Sequence, residues 1–128
     1  MPRNLPDDNR SYERFCNQLS KRRDTLGISQ SEIAKRARYR NPNFISMVEN
    51  KSSGIPIKNA GDLTLAYQLD RGQFAKALIK TRYPEFWQLF IYILESDNLV
   101  DKDKIEEFDK SADDFIARID RLPRSATK

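Results

Sequence analysis

Between Leu26 and Lys51, in the run LGISQSEIAKRARYRNPNFISMVENK, two helix-start signals fall so close together that only two short helices joined by a turn fit the segment. Ser29 and Glu32 form a Ser-x-x-Glu pattern, in which the hydroxyl accepts from a free backbone N–H of the first turn and the carboxylate reaches back. A helix therefore starts at Gln30, and Gly27 suits a reversal with positive φ at the end of the helix before it. Ile33, Ala34 and Ala37 make the apolar face, with Lys35, Arg36 and Arg38 outside. The second signal is Asn41-Pro42, a favoured cap followed by a favoured first helical residue whose missing N–H would have had no partner. From there to Asn50, Ile45 and Val48 share one stripe with Phe44 at its edge, while Asn43, Ser46, Met47 and Asn50 project from the opposite side.

Flanking signals extend this pair into a bundle. Ser11 is expected to cap a first helix with Phe15, Leu19 and Leu26 inward and with Lys21 and Arg22 outside. After Lys51, Ser52-Ser53-Gly54 reads as a loop and Ile55-Pro56-Ile57 as the return to the core. A fourth helix over about residues 58–69 turns Leu63, Ala66 and Leu69 inward, and Asp70 caps a fifth through Phe74, Ala77 and Leu78.

Taken together, Leu26-Gly27-Ile28-Ser29-Gln30, Glu32-Ile33-Ala34, Ile45-Ser46-x-Val48-Glu49-Asn50-Lys51, Ile57 and Leu63-x-x-Ala66-x-x-Leu69 resemble the Xre-type, lambda-repressor-like helix-turn-helix regulators of bacteria, phages and plasmids. The resemblance covers roughly residues 11–80, with a connection at 38–41 about one residue longer than the family's usual turn. It implies a five-helix, all-α DNA-binding domain. It also implies base contacts from Asn43, Phe44, Ser46 and Met47, and phosphate contacts from Gln30, Asn50 and Lys51. The residues themselves add Arg40 and Asn41 in the turn to the base-contacting set, and Arg22, Ser29 and Lys58, the last at a helix start, to the phosphate-contacting set. Arg23 and Glu49 stand where the family often carries a partly buried ion pair between the first and third helices. Because the recognition helix has no Lys or Arg between Pro42 and Asn50, guanine reading would fall to Arg40 or Lys51, and an A/T-leaning half-site is expected.

Charge divides the chain. Residues 1–83 hold sixteen Lys+Arg against eight Asp+Glu, net +8, while residues 84–128 hold seven against eleven, net −4. The basic part suits salt-dependent attraction to phosphate, and the acidic part is expected to do something else. With one cysteine and no histidine, the chain has no internal disulfide, metal cluster or catalytic constellation, so neither an enzyme nor a cofactor or metal protein is expected. Cys16 reads as a small residue near the core. No signal peptide or membrane-spanning run is legible, which places the expected site of action in the cytoplasm, on the nucleoid.

The expected organisation is a flexible arm at 1–10, the helix-turn-helix domain at 11–83 and a helical region at 84–128. Residues 86–94 are apolar nearly all round, and Ile105, Phe108, Ala112, Phe115, Ile119 and Leu122 fall at the three- and four-residue steps of a pairing helix. These two helices could fold back on the bundle. The preferred expectation is a homodimer interface built from Phe86, Trp87, Phe90, Ile105, Phe108, Phe115 and Ile119, because two-fold proteins place two reading helices one duplex turn, about 34 Å, apart. The function expected is that of a sequence-specific dimeric repressor of inverted-repeat double-stranded DNA operators, its own promoter included. The alternatives are an antitoxin-like protein whose carboxy-terminal half neutralises a partner protein, and an effector-sensing regulator with a pocket among Trp87, Phe90 and Tyr92.

Overall fold

The computed structural model describes residues 10–51, 53–96, 98 and 100–124, and among them there are helices and no strand. The expected arm up to residue 9, and Ser52 of the loop, lie outside the described residues. In chain order the helices are α1 (Arg10–Leu26), α2 (Gln30–Arg36), α3 (Asn43–Glu49), a 3₁₀ turn (Ile57–Asn59), α4 (Ala60–Ala66), α5 (Arg71–Arg82), α6 (Pro84–Ser96), α7 (Lys102–Arg118) and a final 3₁₀ turn (Ile119–Arg121). None is long and apolar enough to cross a membrane.

Local chemistry sets the boundaries. The Ser29 hydroxyl accepts from the Glu32 N–H at 3.1 Å, so α2 starts at Gln30, but the Glu32 carboxylate turns to Arg36 at 2.9 Å. Asn41 Oδ1 accepts from the Asn43 N–H at 2.9 Å, and Pro42 adopts helical angles as the helix begins. Asp70 caps α5 by accepting from Gln73 N–H at 2.9 Å. Ser11, expected as a cap, lies inside the first turn of α1, which already includes Arg10. Gly27 ends α1 at φ 72°, and Arg38, Lys51 and Gln68 adopt the same left-handed conformation after α2, α3 and α4 without being glycine. Such residues cost about 1–2 kcal/mol each, and the backbone bonds they permit, such as Tyr39 N–H to Ala34 O at 2.8 Å, close the helix ends.

A main core gathers residues of α1 to α5. Phe15 and Leu19 of α1, Ile33 of α2, Ile45 of α3, Leu63 of α4 and Phe74 and Leu78 of α5 are buried together, with Phe15 edge-on to Phe74 at 5.3 Å. Ile55, rather than Ile57, brings the chain back after α3, since Ile57 is 58% exposed.

The pairing seam of α7 does not wait for a second copy. Phe115, Ile116 and Ile119 are buried in the same core as Phe15 and Phe74, and Ile105 joins Trp87 and Ile91 in a smaller cluster edged by Phe108. This corrects the expectation of an intermolecular seam. A short connection between α6 and α7 presents the seam to the chain's own α5 and α1 at high effective concentration. Charge assists, because Lys80 of α5 meets Asp109 and Asp113 of α7 at 3.0 Å each. The acidic helix is thus partly neutralised by Lys80 of the amino-terminal part.

Arg22 is the second correction. Expected outside and free for phosphate, it is 0% exposed. Its guanidinium donates to the carbonyls of Tyr67 at 2.9 Å, Gln68 at 2.7 Å and Pro123 at 3.1 Å, and also to that of Leu122. Burial first, and the nearby Arg124 second, lower its pKa from the usual guanidinium value, although arginine keeps its charge in proteins. The bond set holds the carboxy-terminal strap 119–124 against α1 and the α4–α5 junction.

Candidate nucleic-acid interface

The reading face predicted for α3 is an outward one. Ile45 and Val48 are buried, Asn43, Met47 and Asn50 are exposed, and Ser46 is half-buried. Arg40 and Asn41 are exposed in the turn before the helix, with Asn41 Oδ1 engaged in capping. Phe44 is different, because it packs against the core with its ring 4.7 Å from that of Tyr39. It belongs to the rim of the core, where it fixes the turn that carries Arg40.

Behind this face sits a buried carboxylate. Glu49, at the end of α3, accepts from Arg23 Nε at 3.1 and 3.0 Å on its two oxygens and from Arg23 Nη2 at 3.0 Å, a bidentate pair from α1. It also accepts from Gln30 Nε2 of α2 at 3.0 Å and from the Tyr67 hydroxyl at 2.7 Å. Arg23 spans further, donating to the Ile28 carbonyl at 3.1 Å. Burial by itself would raise the Glu49 carboxyl, but the hydrogen bonds from Arg23, Gln30 and Tyr67 and the Arg23 charge outweigh it, so its pKa lies below the ordinary value. Burial, then the Glu49 charge, push the Tyr67 phenol up, so it stays a donor. Three helices and Tyr67, just past the end of α4, therefore meet at one ionised group, which fixes α3 relative to the start of α2.

The flanking phosphate candidates are arranged around the ends of these helices. Ser29 is exposed, and while its oxygen accepts from Glu32 its hydroxyl proton remains available. Gln30 is half-buried on Glu49. Lys51 is exposed and its ammonium rests on Asn17 Oδ1 at 2.9 Å, so α1 and the end of α3 are stitched together there. Lys58 is exposed in the 3₁₀ turn that leads into α4. Arg22 takes no part. Tyr67 and Asn17 had no signal in the sequence, because a tyrosine on the inner face of a helix and an asparagine on an outer one are ordinary there until their partners are known.

No protein-family model, curated protein or solved structure matches this chain.

Burial pushes the Cys16 thiol up to about 11 against the lowering effect of its Tyr12 hydrogen bond and nearby cations, so it is protonated at neutral pH. Among the described residues no group of three His, Cys, Asp or Glu side chains could hold a metal. The three residues expected around an effector pocket differ in setting. Trp87 is stacked flat on Phe108 at 5.1 Å and is buried, whereas Tyr92 is exposed. Of the residues expected at a dimer interface, Trp87, Ile105, Phe115 and Ile119 are buried within the chain and Phe108 is half-buried, leaving Phe86 and Phe90 exposed.

Proposed function

We propose that this protein is a sequence-specific, double-stranded DNA-binding transcriptional regulator of the helix-turn-helix type, acting as a dimeric repressor on an inverted-repeat operator. The observation that carries the reading is the Glu49 junction. It locks the end of α3 to α1, to the start of α2 and to Tyr67, while Asn43, Ser46 and Met47 stay outward on the same helix. A helix held this rigidly, with Asn43, Ser46 and Met47 on its outer side, is suited to enter a major groove, since positioning is separated from reading.

In this reading Asn43 pairs with adenine, Ser46 serves either base edge and Met47 meets a thymine methyl. Ser29, Gln30, Lys51 and Lys58 hold phosphates on either side, and the net +8 of residues 1–83 supplies the sequence-independent attraction. Bound to a promoter, the protein would act by occluding it, with no cofactor required. A footprinting and gel-shift titration on DNA upstream of its own gene, with random duplex as competitor, tests the proposal. Protection of a short inverted repeat that survives the competitor is expected. A diffuse shift abolished by modest salt would remove the claim of sequence specificity.

A further inference from the structure

Helix α6 carries an apolar face that the other described residues leave bare. Phe86, Leu89 and Ile93 recur at i, i+3 and i+7 and are 57%, 57% and 48% exposed, with Phe90 and Tyr92 exposed beside them. Between Glu85 and Glu95 the helix has no charged residue. Its inner face is firmly seated: the Trp87 indole donates to Asp109 Oδ1 at 2.7 Å, and Lys80 meets the same carboxylate oxygen at 3.0 Å. The bare face is therefore presented on a buttressed helix, which lowers the ordering cost of docking.

We infer that this face receives a second copy of the chain, α6 crossing the partner's α6 in a two-fold contact centred on Leu89. The five exposed side chains leave about 500 Å² of apolar surface, at the upper end of what a monomer shows. Two copies together cover about 1,000 Å², the size at which specific interfaces begin. Glu85 and Glu95 stand at the two ends, where crossing helices diverge and like charges remain in water. A lipid surface fits less well, because no Lys or Arg occurs from Tyr83 to Asp101, whereas helices lying on membranes carry basic residues.

The inference rests on the proposed function only for the dimer's use, and its test needs no DNA. Sedimentation equilibrium of the full chain is expected to show a dimer in the micromolar range. Leu89→Lys and Ile93→Lys, each on the surface, should weaken self-association by about a hundredfold with unchanged circular dichroism. A folded monomer at about 100 μM, or a dimer indifferent to both substitutions, would overturn the assignment. So would a wild-type monomer that co-sediments with phosphatidylglycerol vesicles or that dimerises only after a different protein is added. A dimer that depends on Leu89 yet binds no operator would leave this inference standing and remove the DNA reading instead.

Discussion

Arg22 donates to the Tyr67 carbonyl at 2.9 Å, while the hydroxyl of that same tyrosine donates to Glu49 at 2.7 Å. One residue thus joins two anchoring systems. Its backbone takes part in holding the carboxy-terminal strap through Arg22, and its side chain helps hold α3 through Glu49. The neighbouring arginines of α1 divide the same labour, Arg22 facing the strap and Arg23 facing the end of α3. Geometry at the outward face of α3 is therefore coupled to packing contributed by the last described residues.

Tyr67→Phe removes only the hydroxyl. The lost bond is buried and ends on a charge, so the variant should be destabilised by about 1.5–3 kcal/mol. Urea denaturation checks this through a lowered midpoint at unchanged slope. An unaltered midpoint would mean that Glu49 is satisfied without Tyr67.

Arg22→Met separates the sequence expectation from the structural placement. Removing the guanidinium leaves buried carbonyls without donors, at a cost of about 3–5 kcal/mol by analogy with broken buried ionic contacts. Arg22→Lys should recover little, since one ammonium cannot reproduce the planar fork that reaches Tyr67, Gln68 and Pro123. Faster proteolysis near residues 119–124 should accompany both. If Arg22 were a phosphate contact, stability would hardly change and the salt dependence of DNA binding would fall instead.

Arg22 also shows where sequence reading stops. Caps are local, so Ser29, Asn41 and Asp70 announced their helices, and the periodicity of Ile33, Ile45, Leu63 and Phe74 announced the core. An arginine flanked by Lys21 and Arg23 looks like part of a solvated basic run, because its acceptors lie about 45 and 100 positions away. The seam of α7 was equally legible as a pairing surface, but periodicity does not say which helix answers it. Phe44 sat on the boundary between two stripes, and only the Tyr39 ring decided its side. The Arg23–Glu49 pair came from the family resemblance, with Gln30 and Tyr67 completing it in space.

The pH dependence has two arms. Glu49 is held below the ordinary carboxyl value of 4.5, so its contribution to stability is present above that pH and is lost as pH falls through the folded-state value. Glu49→Gln should flatten the acid limb while lowering stability at neutral pH. Cys16 is raised from 9.0 to about 11, so the unfolded chain releases its proton first and stability declines as pH rises between these values. Thermal melts from pH 3 to about 10.5, with Cys16→Ala as the comparison, check both arms. An alkaline limb identical in the Cys16→Ala variant would assign the decline to other groups.

Asn43→Ala tests the reading face without touching its support. Asn43 is exposed, and the capping contact at this position uses its backbone N–H, which alanine retains. Stability should therefore move by no more than about 0.5 kcal/mol, while binding to the specific site should weaken by about 1–3 kcal/mol and discrimination at one base pair should relax. Affinity for random duplex should be nearly unchanged, because the proposed function assigns that term to Lys51, Lys58 and the other cations. Titration of the variant against operator and random duplex at two salt concentrations separates these terms. Equal losses on both DNAs would move Asn43 from the base edges to the backbone, and Ser46 and Met47, one turn further along the same exposed side, would then be the residues that read sequence.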